Sequence, residues 1–193
     1  MPRRLSTIAL VLALAAGGLS CAASKAQKRT YMDRNMDFGA VKTVAVLPFS
    51  NLARDTLAGE RVRDVFATML LATNAFYVLP GGEVVRGIGI AGVANPVAPS
   101  VEEVMKLGKT LKADAIFTGT VKEYGEVRQG AAAANTISLS VQLQETATGR
   151  VVWAGQTTKG GVTLSGRLLG SGGEPLNDVT EAAVDDLLDQ LFK

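Results

Sequence analysis

The chain has 193 residues, with 20 Lys+Arg, 18 Asp+Glu, no His, one Cys and 47% hydrophobic residues. That length suits one domain with its own core, and the apolar fraction excludes disorder for most of it. The missing histidine excludes Ser-His-Asp and Cys-His nucleophile pairs and His-ligated metals; a lone cysteine excludes a disulfide framework and Cys-cluster metal sites. Both surplus positive charges sit at Arg3 and Arg4, and residues 1–20 hold no acid, so the remainder carries 18 basic and 18 acidic residues. A neutral remainder gives no electrostatic case for a nucleic-acid partner.

In chain order, Met1-Pro2-Arg3-Arg4 is a basic head and Ile8 to Ala16 an uninterrupted apolar run, followed by small residues and Cys21. These are the parts of a secretory signal, expected over 1–20; the run is too short to span a bilayer permanently, which takes roughly 20 residues. Gly18-Leu19-Ser20-Cys21 resembles a bacterial lipobox, although the leucine usual three places before the cysteine is Gly18. Lipidation of Cys21 is the expected outcome, because it consumes the only thiol of an exported chain. Ordinary cleavage near Ala13-Leu14-Ala15 or Ala15-Ala16-Gly17 is the other outcome. Ala22 after the cysteine resembles an outer-membrane sorting address. Residues 21–40 then read as a lipid-anchored tether of roughly 60 Å at full stretch. Tyr31, Met32, Met36 and Phe38 are expected to dock its second half on the domain.

Residues 41–193 read as one α/β domain. Thr43 to Leu47 is an apolar β-branched run, a strand buried on both faces. Pro48 to Asp55 is a loop. From Thr56 to Ala72, Val62, Val65, Phe66, Met69 and Leu70 recur at helical spacing, and Asn74 closes that helix. Phe76 to Leu79 is a short strand. Pro80 to Pro99, rich in Gly and Pro, reads as irregular, with a short helix allowed over Glu83 to Ile90. Ser100 to Glu103 is a capping box starting a helix through Val104, Leu107 and Leu111. Ala115 to Val121 is an inner strand, while Lys122, Glu123, Gly125, Glu126 and Arg128 argue against its continuation. Thr136 to Gln144 alternates, with Ile137, Leu139, Val141 and Leu143 on one face. Thr148-Gly149 turns the chain into Val151-Val152-Trp153, Val162 to Leu169 alternates briefly, and Leu176 to Phe192 is an amphipathic helix.

No motif carries catalysis. Gly87 to Gly92 matches GxGxxG, but Pro96 and Pro99 deny it the helix that a dinucleotide site needs. Gly108-Lys109-Thr110 lies inside a helix and lacks the first glycine of a P-loop. Asp178, Glu181, Asp185 and Asp189 share one helix face without a convergent partner and read as a solvated face. Ser-x-x-Lys is absent at every serine. No catalytic, cofactor or metal residue is therefore assigned. Ile88, Ile90 and Val93 are either core residues tucked under the sheet edge or a partner-contact loop.

Val44-Ala45-Val46-Leu47-Pro48-Phe49-Ser50-Asn51, the stretch Leu107 to Val121 (LGKTLKADAIFTGTV) and Thr148-Gly149-Arg150-Val151-Val152-Trp153, in this order of elements, are similar to the CsgG-like group of outer-membrane lipoproteins. That group includes the curli secretion channel and the activator lipoproteins of penicillin-binding proteins. The resemblance covers about residues 41–158 and implies a periplasmic sheet-and-helix binding domain without catalytic residues. The expected fold is a single α/β domain, a mixed, mostly inner-strand sheet packed with amphipathic helices in the order β-α-β-α-β-β-β-α. The expected function is that of a lipid-anchored accessory protein facing the periplasm from the outer membrane through the lipid on Cys21. It would act on an envelope protein partner, with homo-oligomerisation left open. The alternative is an oligomeric secretion-channel component inserting Thr136 to Gln144 as a membrane strand; an enzyme ranks behind both.

Overall fold

The computed structural model describes residues 30–130, 132–162 and 173–193. The expected signal segment, Cys21, the first part of the tether and the Val162–Leu169 alternation past its first residue lie outside the described residues.

One seven-stranded sheet organises the domain, in the order β1-β7-β6-β5-β2-β4. Its strands are β1 (Tyr31–Met32), β2 (Thr43–Val46), β3 (Ser50–Asn51), β4 (Tyr77–Val78), β5 (Ala115–Gln129), β6 (Ala132–Glu145) and β7 (Val151–Gly160). β4, β2 and β5 run parallel, whereas β5, β6, β7 and β1 form an antiparallel meander. β3 continues the line of β2 along β5. Among the described residues four α-helices cover the sheet: α1 (Ala58–Ala72), α2 (Gly81–Ala91), α3 (Val101–Leu111) and α4 (Leu176–Leu191).

Alternation along β2 divides the core. Val44 and Val46 point to one face, where α1 and α4 bury Val62, Phe66, Leu70, Val184 and Leu187 against Ile137, Leu139, Val141 and Leu143. Ala45 and Leu47 point to the other, where α2 and α3 bury Val84, Val104 and Leu107 against Ile116. Phe66 centres the larger core, edge-on to Phe117 at 5.2 Å and tilted against Phe49 at 5.8 Å. The apolar face of β6 thus lies under helices. Its polar face, with Ser138, Ser140, Gln142 and Gln144, extends past the cover of α2 and α3 and meets water.

Local signals explain the helix ends. α3 starts in the expected capping box: the Glu103 N–H donates to Ser100 Oγ (3.2 Å) and the Ser100 N–H to Glu103 Oε2 (2.8 Å). Asn74 takes the left-handed conformation (φ 54°) just after α1, and Gly92 does the same (φ 63°) after α2. Residues 31–38, expected to dock, are held by backbone and side chains together. β1 pairs with β7, Met36 and Phe38 pack on the larger core, and Asp33 takes Arg150 at 2.8 Å.

Two expectations need correction. Pro80–Pro99 is not mainly irregular: α2 fills Gly81–Ala91, wider than the Glu83–Ile90 segment allowed for. Val84, Ile88 and Ala91 recur at helical spacing on the smaller core. Gly87 is there for contact, since a Cβ would overlap the Leu111 side chain of α3. The inner strand does not stop at Val121 but runs to Gln129, paired with β6 throughout. A bulge between Val121 and Glu123 absorbs Lys122, and Gly125 (φ 129°) takes a conformation other residues resist. Among the described residues β5 beyond Val121 pairs with β6 alone, and its Lys122, Glu123, Glu126 and Arg128 are exposed.

Gly108 of α3 sits against the Thr146 Cβ, while Thr146 Oγ1 donates to Ala113 O at 2.6 Å. A Gly108→Ala change should cost about 1–3 kcal/mol through overpacking. Gly89→Ala, in α2 with nothing within 4 Å, should be neutral or stabilising. Thermal melts of the two variants check the contrast.

Candidate partner surface

Polar chemistry in the interior is committed to bracing. Among the described residues, no buried side-chain nitrogen or oxygen lacks a hydrogen-bond partner. Asp33 holds Arg150, Lys159 reaches Asp186 at 3.2 Å, and Gln190 donates to Asp186 at 2.9 Å. No group of three or more Cys, Asp or Glu side chains among the described residues could hold a metal ion. Surface shape then decides what the domain can do.

The topology makes one crevice. β2 leaves through Leu47–Phe49 towards α1 on one face, whereas its parallel neighbour β4 leaves through Leu79–Pro80 towards α2 on the other. Adjacent parallel strands whose connections part to opposite faces leave a cleft at their carboxyl ends. A groove of about 470 Å³ lies there, lined by Pro48, Phe49, Val84 and Val85 and by Glu60, Arg61, Arg63 and Asp64. Arg63 is fixed in its wall: Nε and Nη2 each reach the Val46 carbonyl at 3.4 Å. Gly81 makes room for that guanidinium, since a Cβ there would stand 3.0 Å from Nη2. Arg61 is held by Asp55 at 2.9 Å. An apolar floor under a rim of both charge signs suits an apolar side chain with polar flanks.

A second groove, of about 410 Å³, runs between the last turns of α1 and α4. Met69, Ala72, Leu188 and Phe192 line it with Thr73, Asp185, Asp189 and Lys193. In the first turn of α3 the Glu102 carboxyl is held below the usual range, first by its own backbone N–H and then by the Ser100 hydroxyl at 3.0 Å.

The residues singled out in the sequence are not brought together. Val93 is buried in the smaller core and Ile88 packs against it, while Ile90 is 76% exposed. The three therefore do not form one contact loop. Gly87–Gly92 lies within and at the end of α2, so no helix N-terminus follows it, which is a stronger objection than the prolines. Lys109 and Thr110 lie on α3, and the four acids of α4 are exposed. The crevice was missed because periodicity says nothing about which strands are neighbours; the Pro48-Phe49 pair directly after a buried strand was its one local trace.

Comparison with known proteins follows from the fold. The GNA1162-like lipoprotein family matches residues 36–191. No curated protein matches the chain in sequence. Among solved structures, the PelC dodecamer from Paraburkholderia phytofirmans is 15% identical with a TM-score of 0.57, covering 84% of this chain and 96% of that one. Lipoprotein GNA1162 from Neisseria meningitidis is 19% identical with a TM-score of 0.57, covering 78% and 98%. The LpoB C-terminal domain from Salmonella enterica is 12% identical with a TM-score of 0.50, covering 65% and 86%. Identities this low show a shared fold. The expected kinship with lipoproteins holds at this level, and the family that matches is the GNA1162-like one.

Proposed function

Because the chain belongs to the GNA1162-like lipoprotein family, we propose that it is a lipid-anchored accessory protein of the bacterial cell envelope, acting by protein–protein contact in envelope or surface-structure assembly. The observation that carries this reading is the family match over residues 36–191, with Cys21 in a lipobox-like setting just upstream. Residues 1–20 are then removed, Cys21 carries the lipid, 21–40 form the tether, and 41–193 face the periplasm from the outer membrane. Because β1 already fixes Tyr31 on the sheet, the chain from Ala22 to Thr30 can span at most about 30 Å. Partners must come close to that membrane. The groove between α1 and α2 is the contact site of choice, and the dodecamer described for PelC supports self-association of this chain as well. A secretion channel finds no support, since the apolar face of β6 is taken up by α1 and α4.

Cys21→Ala should move the chain from the membrane fraction to the soluble periplasm. Unchanged partition, or a mature N-terminus mapped before Gly17, would overturn the anchor. A photo-crosslinking side chain at Val85, at the groove, should capture an envelope protein from intact cells, and capture of none would remove the groove from the proposal.

A further inference from the structure

α3 and α4 lie on opposite faces of the sheet, and each presents an exposed charged stripe to water. Along α3 and its left-handed C-cap the order is Glu102, Lys106, Lys109 and then Lys112: one negative end, then three positive charges. On α4 it is Asp178, Glu181, Asp185 and Asp189, with Lys193 just past the helix end and paired to Asp189 at 3.1 Å. The helices close to larger and smaller cores explain neither stripe, because none of these side chains packs inward. Net neutrality of the chain after residue 20 therefore hides a segregation of sign between front and back.

We propose that a second copy of this chain docks its α4 antiparallel along α3, so that copies join head to tail. In that register Lys109 faces Asp185, Lys112 faces Glu181, and Glu102 and Lys106 flank the Asp189–Lys193 pair, each beside its opposite charge. The reversed sign at one end of each stripe selects this direction over the parallel one, which would set Glu102 against Asp178. Lengths agree: Glu102 to Leu111 spans about 14 Å of α3 and Leu191 to Glu181 about 15 Å of α4. Antiparallel axes also oppose the two helix dipoles favourably. Exposed ion pairs contribute little each, so apolar contact must accompany them. Val101 and Phe192, 50% and 47% exposed, fall at the same end of the contact. Ala182, exposed mid-stripe, lets the helices approach closely. Because the two surfaces differ and lie on opposite faces, the contact is heterologous and repeats from copy to copy, closing into a ring or extending as a filament according to its rotation.

The inference deepens the self-association in the proposed function and rests on it. Its test uses the full lipid-anchored chain in detergent, followed by sedimentation velocity. Wild type should form multimers that weaken as salt rises from about 50 mM to about 500 mM. Reversing α3 alone (Lys106→Glu, Lys109→Glu, Lys112→Glu) or α4 alone (Glu181→Lys, Asp185→Lys, Asp189→Lys) should weaken assembly by about tenfold or more. Mixing the two reversed chains should restore it, since the acidic α3 of one then meets the basic α4 of the other. Zero-length carbodiimide coupling of wild type should join Lys109 to Asp185 of another copy. A monomer at every concentration, multimers indifferent to either reversal, or no rescue on mixing overturns the contact. Failure of the envelope reading would show separately, in the Cys21→Ala partition, which these variants leave untouched.

Discussion

Replacing Val141 with aspartate is expected to unfold the domain. Val141 is fully buried on β6, paired with Gly119 of β5 and Gly155 of β7. The missing side chains of those glycines are filled by rings: a Cβ on Gly119 would stand 2.8 Å from Phe49, and one on Gly155 2.7 Å from Trp153. Aromatic carbon and the α1 and α4 aliphatics therefore surround the position, with no donor to meet a carboxylate. An unpaired buried charge costs several kcal/mol, against a total stability of about 5–15 kcal/mol for a domain of this kind. A circular-dichroism melt should show no cooperative transition for Val141→Asp. The same melt separates a core strand from a membrane strand, because a lipid-facing β6 would tolerate the change outside a bilayer. An intact fold would reopen the secretion-channel reading.

How far such positions can be read in advance depends on the range of the interaction. Ile137, Leu139, Val141 and Leu143 were legible as one buried face because a strand repeats every two residues, and the Ser100–Glu103 cap because its partners are three apart. α2 was obscured by its glycines, which in isolation mean flexibility; Gly87 is explained only by Leu111, on a different helix. The far half of β5 was obscured in the same way. Its charges argue against a buried strand, and only the topology shows that β2 and β3 leave it at Val121. The groove at the ends of β2 and β4 depends on strand adjacency alone, which no spacing within either strand records. Front-to-back segregation of charge was half legible: the α4 stripe stood out as a solvated face, but its counterpart on α3 acquires meaning only once the helices are placed on opposite faces.

Trp153→Ala is the other change expected to act strongly, and first through stability. The side chain is fully buried on β7, and its Nε1–H points at the Gln190 carbonyl of α4 at 3.4 Å. On the neighbouring strand Met32 of β1 pairs with it in register, and Thr30 Oγ1 reaches Gln190 Oε1 at 2.6 Å. The indole thus ties the end of the tether to the last helix through the sheet. The ring occupies the space beside Gly155, where a Cβ would stand 2.7 Å from it, so truncation opens a cavity there. A loss of about 3–5 kcal/mol follows, which lowers Tm by roughly 10 °C or more in a domain of this size. Hydrogen exchange should rise first in β1 and in the last turns of α4, whose docking the indole secures. Binding measured well below the variant's Tm should then survive at near wild-type strength. A variant that melts like wild type yet fails to assemble or to capture its partner would instead make Trp153 a recognition residue, at odds with its complete burial.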